Sequence, residues 1–156
     1  MFQIRKATED DASLIFDLIT KLAVFEKMEN EVVTSVEELR VNIFEKNFAH
    51  VIIGEEDGIP AGFALYFYNF STFVGKPGLY LEDLYVEPEH RGKGYGKTLL
   101  IELTKIAKAE NCGRMEWSVL NWNQPAIDFY ESLSAKPMNE WTVYRLDGKG
   151  IADLAE

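Results

Sequence analysis

Residues 79–100 read LYLEDLYVEPEHRGKGYGKTLL, and how this stretch is read decides the fold. Its first eight residues alternate Leu, Tyr and Val with acids, a strand composition, and Pro88 ends the run. Gly92, Gly94 and Gly96 follow at alternate positions, and Leu99, Leu103, Ile106 and Ala107 then recur at helical spacing. In a strand, glycine turn and helix in that order, backbone amides and a helix start can converge on one anion. Two familiar phosphate loops come close and fail. A G-x-x-x-x-G-K-[ST] loop would end as Gly96-Lys97-Thr98 does, but its first glycine falls on Arg91. A dinucleotide loop needs G-x-G-x-x-G, whereas the spacing here is G-x-G-x-G. What remains suits a diphosphate held without a metal, with Arg91, Lys93 and Lys97 adding positive charge. A plain glycine-rich turn before a helix is the alternative reading.

The elements on either side follow from period and caps. Residues 2–5 form a short strand. Thr8 and the acids Glu9, Asp10 and Asp11 open a helix carrying Leu14, Ile15, Leu18, Ile19 and Leu22 at helical spacing. Residues 26–34 are a charged loop, and Ser35 with Glu38 forms a capping box for a helix with Val36, Leu39 and Ile43 inward. Residues 51–54 and 61–70 read as strands around an Asp57-Gly58 hairpin turn. Residues 79–86 form the next strand, 94–110 a helix and 115–120 a strand. Residues 123–133 form a helix that Asn123 can cap, with Pro125 in its first turn, and 141–146 a last strand. The order is β-α-α-β-β-β-α-β-α-β, a mixed α/β fold over residues 1–156 as one domain. Its strand–helix–strand unit, residues 79–120, is expected to be parallel and right-handed.

Composition narrows the function. The chain has 156 residues, 47% hydrophobic and 27% charged, which suits a globular domain with a sizeable core. Its formal net charge of -10 makes nucleic acid a poor partner and a cationic small molecule a better one, although acidity can also serve solubility alone. The single cysteine, Cys112, allows neither an intrachain disulfide nor a multi-cysteine metal site. The N-terminus carries charge from Arg5 onward, unlike a signal peptide, and the run at residues 59–70 is too short and too interrupted to span a bilayer. A cytoplasmic address is the expectation.

From Arg91 onward, Arg91-Gly92-Lys93-Gly94-Tyr95-Gly96 resembles the (R/Q)-x-x-G-x-(G/A) loop of the GNAT acetyltransferases. Three separated segments, LAVFEKMENEVVTSVEEL, LYLEDLYV and NWNQPAIDFYESLSA, are similar to those of the spermidine/spermine (diamine) acetyltransferases and their thialysine-acetylating relatives. The resemblance covers nearly the whole chain. It implies a GNAT fold, with a mixed central sheet whose parallel strand pair splays apart between helices. It implies acetyl transfer from acetyl-CoA to a primary amine, by direct attack in a ternary complex and without metal. On this resemblance, backbone at Leu84, Tyr85 and Val86 pairs with the pantetheine arm. Arg91, Gly92, Lys93, Gly94, Tyr95, Gly96 and Lys97 wrap the diphosphate, and Asn123 contacts the coenzyme. Tyr130 protonates the departing thiolate, and Glu82 handles the amine proton. Phe25, Glu26, Glu82 and Glu116 line the amine site. A homodimer, with the C-terminal strand at or near the interface, is also implied.

The chemistry asks for such groups. An alkyl ammonium, with a pKa of about 10.4, must climb roughly 4–5 kcal/mol to present a free amine at pH 7. A carboxylate beside it binds the cation and can take its proton, provided burial raises its pKa; Glu82 is expected to be partly desolvated for this reason. A phenol suits the thiolate. Helical spacing alone would equally make Tyr130 a core aromatic and Asn123 a simple cap. Phe25 stands where polyamine enzymes often carry a tyrosine, Asn121 where they carry an acid, and Ser134-Ala135 where a glycine turn is usual. The small cationic substrate is therefore a diamine, a polyamine or a lysine-like amino acid such as thialysine. The alternatives are a protein or peptide N-acetyltransferase and a non-catalytic acyl-CoA-binding protein.

Overall fold

The structure, a computed structural model, describes residues 1–156. It resolves into two compact units, residues 1–118 and 119–156. The first contains β1 (Phe2–Lys6), α1 (Ala12–Phe25), α2 (Val36–Arg40), β2 (His50–Glu56), β3 (Ile59–Ser71), β4 (Lys76–Val86), α3 (Tyr95–Ala109) and β5 (Arg114–Trp117). One sheet runs β1-β2-β3-β4-β5; the first three pairings are antiparallel and β4–β5 is parallel. No helix is long and apolar enough to cross a membrane.

Local chemistry places most of the elements where the sequence puts them. Thr8 opens a 3-10 turn (Glu9–Asp11) before α1, with its N–H donated to the Asp11 carboxylate at 2.7 Å. Arg5 grips the same carboxylate through two N–H groups at 2.8 and 2.9 Å and holds it below the usual carboxylate range. Ser35 caps α2 by accepting from the Glu38 amide, but α2 soon slackens into a π-helical turn (Val41–Glu45), which buries Ile43 and leaves Val36 exposed. Asp57 and Gly58 both have positive φ, 52° and 82°, as a tight type I′ hairpin turn requires.

The sheet is buried on two faces. On one, Val51, Ile53, Phe63, Leu65 and Tyr85 pack with Ile15, Leu18 and Leu22 of α1 and with Ile43. On the other, strand alternation turns Ile52, Ala64, Tyr66, Leu79 and Leu81 toward α3, whose Leu99, Leu100 and Leu103 are buried. Phe63, Ile15, Leu79 and Leu103 are wholly buried, each contributing about 1.5–3 kcal/mol of transfer free energy.

The second unit holds α4 (Gln124–Ser132) and α5 (Gly148–Leu154). Asn123 caps α4 by accepting from the Ala126 amide at 3.3 Å. The strand expected at residues 141–146 does not form. Trp141, Val143 and Tyr144 give the segment a strand-like composition, but a strand needs a partner for its ladder, and none pairs with this segment. Instead, Asp147 caps α5, accepting from the Gly150 amide at 2.8 Å.

Candidate active site

The site begins with a change in β4. Its parallel pairing with β5 runs from Gly78↔Arg114 to Leu81↔Trp117 and ends there. The antiparallel register with β3 slips at the same point: Tyr66 pairs with Leu81 and Leu65 with Asp83, leaving Glu82 as an extra residue. Such a bulge shifts the phase of the strand. Leu79 and Leu81 share a face with Tyr66, toward α3. Beyond the bulge, Asp83 and Tyr85 share a face with Leu65 and Phe63, toward α1.

The same break frees a strand edge. Glu87 donates its N–H to Ala61 on β3 at 2.8 Å, so antiparallel alternation turns the amide and carbonyl of Val86, and those of Leu84, away from β3. β5 has ended by then, and those groups face the gap it leaves. The glycine turn follows. Gly92 and Gly94 both hold φ at 81°, a left-handed conformation that a side chain would strain, and a Cβ at either would have no neighbour within 4 Å. The turn is therefore open to a ligand and not plugged by protein. Gly94 is the N-cap of α3, and the first helical amide bond is from Thr98 to the Gly94 carbonyl at 3.0 Å. The amides of Gly96 and Lys97 thus have no helical acceptor, and the positive end of the helix dipole lies with them.

The basic side chains of the turn diverge. Arg91 folds back: its Nε donates to the Val86 carbonyl at 2.7 Å and its guanidinium lies over the rings of Phe25 and Tyr85, 5.2 and 5.3 Å from their centroids. Lys93 reaches the other way, to Glu56. Lys97 is exposed on the first turn of α3.

On the α1 side of the bulge lies an acidic group. Asp83 is partly buried and its carboxyl is pushed up to about 7, first by burial, then by the negative charges of Glu82 and Glu26. Glu26, just after α1, is raised by burial and by Glu82. These three carboxylates therefore act on one another. Glu82 itself is exposed, contrary to the burial expected of it, because the bulge turns its neighbour inward. Asp83 is the residue that the sequence reading passed over. Its signal was present: the Leu79, Leu81 alternation breaks at two successive acids and resumes out of phase. Glu116 sits opposite Tyr80 on the paired part of β4, with its carboxylate 3.1 Å from Arg114 Nε. Asn123 and Tyr130 belong to the second unit, at the cap and within α4, with the Tyr130 ring 5.6 Å from that of Phe129.

A free strand edge, an open glycine turn on a helix start and a partly buried acid group can hold an extended amide-bearing arm, a diphosphate and a cation. Comparison with known proteins agrees. The model of the Acetyltransferase (GNAT) family matches residues 16–134. The chain belongs to the GNAT acetyltransferase family. It is 38% identical to a thialysine N-epsilon-acetyltransferase of Caenorhabditis elegans, over 99% of this chain and 98% of that one. It is 35% identical to the thialysine N-epsilon-acetyltransferase of Bos taurus, over 97% and 96%. Among solved structures it resembles an integron cassette protein from the mobile metagenome of V. cholerae, with a TM-score of 0.83 and 28% identity over 99% and 98% of the two chains. This GNAT protein is an N-acetyltransferase, and its mixed five-stranded sheet with the parallel β4–β5 pair flanked by helices is the expected GNAT fold.

Proposed function

We propose that this acetyltransferase transfers the acetyl group of acetyl-CoA to a primary amine of a small cation, a lysine-like amino acid such as thialysine or a short diamine or polyamine. The observation that carries this reading is the three-carboxylate group of Glu26, Glu82 and Asp83, set beside the free edge of β4. The names of the two relatives favour thialysine over a polyamine.

In this reading acetyl-CoA binds first, its pantetheine arm along Leu84, Tyr85 and Val86 and its diphosphate on the amides from Gly92 to Lys97. Glu26 and Glu82 hold the ammonium, with Phe25 and Glu116 as outer walls. Asp83, titrating near neutrality, takes the amine proton either directly or through water from Glu82. The amine nitrogen attacks the thioester carbonyl, the carbon–sulfur bond breaks, and Tyr130 gives the thiolate its proton. Asn123 contacts the coenzyme while capping α4. Support for reading residues 1–156 as one domain comes from the family match at residues 16–134, which crosses the boundary after Ser118. The enzyme acts in the cytoplasm as a homodimer, with Trp141, Val143 and Tyr144, all exposed, available to a second copy.

The test is consumption of acetyl-CoA with thialysine, lysine, putrescine, spermidine and a lysyl peptide. Turnover of a free small amine is expected. Turnover of the peptide alone would replace this reading with protein acetylation.

A further inference from the structure

The side of the glycine turn remote from the acids is fastened to one carboxylate. Glu56, the last residue of β2, accepts a hydrogen bond from the Tyr95 hydroxyl at 2.7 Å, lies 3.0 and 3.1 Å from Lys93 Nζ through its two oxygens, and lies 2.5 Å from His90 Nδ1. These three partners bracket the turn: His90 precedes Arg91, Lys93 lies between the two left-handed glycines, and Tyr95 is the first residue of α3. The Tyr95 ring also stacks on Phe2, with centroids 3.9 Å apart and planes within 6°. Phe2 is the β1 partner of Glu56 in the sheet register. Gly54 makes room for that ring, since a Cβ there would come within 2.4 Å of it.

We propose that Glu56 is a positioning residue for coenzyme binding: it holds the glycine turn open on β2, so that the turn's amides are arranged before a diphosphate arrives. Two effects oppose each other here. The carboxylate repels an incoming diphosphate and shares Lys93 with it. It also removes the conformational freedom of a segment with two glycines, the freedom that binding would otherwise have to take away. Three partners on one group, two of them bracketing the turn at its ends, make the second effect the larger. The low carboxyl pKa of Glu56, about 2, caused first by the Tyr95 hydroxyl and then by Lys93, fits a group that stays ionised throughout the working range.

The inference rests on the diphosphate reading of the turn, and calorimetric titration with coenzyme A separates the two. If the wild-type protein does not bind coenzyme A, the diphosphate reading itself fails. If it does, Glu56→Gln should raise the dissociation constant and the KM for acetyl-CoA about tenfold, equivalent to about 1.4 kcal/mol. Its kcat at saturating acetyl-CoA should stay within about twofold. Glu56→Asp should recover part of the affinity. Tyr95→Phe, which keeps the stack on Phe2 and removes one bond, should raise KM by a smaller factor, about threefold. Faster amide hydrogen exchange of residues 91–96 in Glu56→Gln, measured without coenzyme, is the companion result. Unchanged or tighter coenzyme A binding by a folded Glu56→Gln protein would overturn the proposal, and so would equal losses in kcat and KM with no change in exchange.

Discussion

β4 is two strands in one. Its first half is paired on both edges from Gly78 to Leu81 and buries Leu79 and Leu81 toward α3. Its second half, Glu82 to Val86, has a strand partner on one edge only, with the Val86 carbonyl on the other taken by Arg91, and turns Asp83 and Tyr85 toward α1. Composition hardly separates them, since Leu-Tyr occurs in both. What separates them is one extra residue at Glu82 and the end of β5 after Trp117. A saturated half contributes stability. An unsaturated half leaves backbone groups and a carboxylate free to act on something else.

Substitutions should split along that line. The largest effect on turnover is expected of Asp83→Asn, a loss of about 10²–10³ in kcat/KM toward the small amine. The rise of kcat/KM through about pH 7 in the wild type should disappear with it, because the raised Asp83 carboxyl is the group that titrates there. A variant with full activity and an intact pH profile would return the base role to Glu82. Next, Tyr130→Phe should lower kcat about 10²-fold while coenzyme A binding by calorimetry stays as it was; unchanged turnover would remove Tyr130 from the acid role.

In the saturated half, Leu79→Ala should cost about 2–5 kcal/mol of stability, read as a lower Tm, with turnover per folded molecule kept. If activity fell while Tm held, the division of β4 proposed here would be wrong. Gly94→Val should weaken coenzyme A binding about tenfold or more, since a β-branched residue resists a φ of 81°.

The smallest expected effect concerns stability and pH. The Asp83 carboxyl has a folded value of about 7 against an unfolded value of 3.8, so the folded state holds the proton more strongly. Its contribution is therefore fully present below about pH 4 and is lost as pH rises through about 7. Asp83→Asn should match the wild-type Tm near pH 4 and exceed it by roughly 3–8 °C at pH 8. An excess at pH 4 that vanished at pH 8 would reverse the sign assigned to this group.

Much of the fold could be read directly. Helical spacing of Ile15, Leu18 and Leu22, the Asp57-Gly58 turn, and the caps Ser35 and Asn123 state their structures locally. The site was legible where it depends on backbone conformation, as at Gly92 and Gly94. It was not legible where it depends on which faces meet. Glu82 and Asp83 are adjacent in the chain, and only the register with β3 decides which of them is buried. Arg91 looked like one of three cations for a phosphate, yet Phe25, Tyr85 and the Val86 carbonyl claim it. Glu56 gave no sign, because its three partners lie 34 to 39 residues away.

The sequence by itself determined the order of elements as far as α4, the glycine turn and the family, because periodicity, caps and left-handed glycines are properties of short stretches. Only the tertiary structure decided which acid is buried and which cations are already engaged. It also left residues 141–146 without a strand, despite their strand-like composition. Burial, desolvation and pairing belong to neighbours that the chain brings together from a distance, and no local pattern records them.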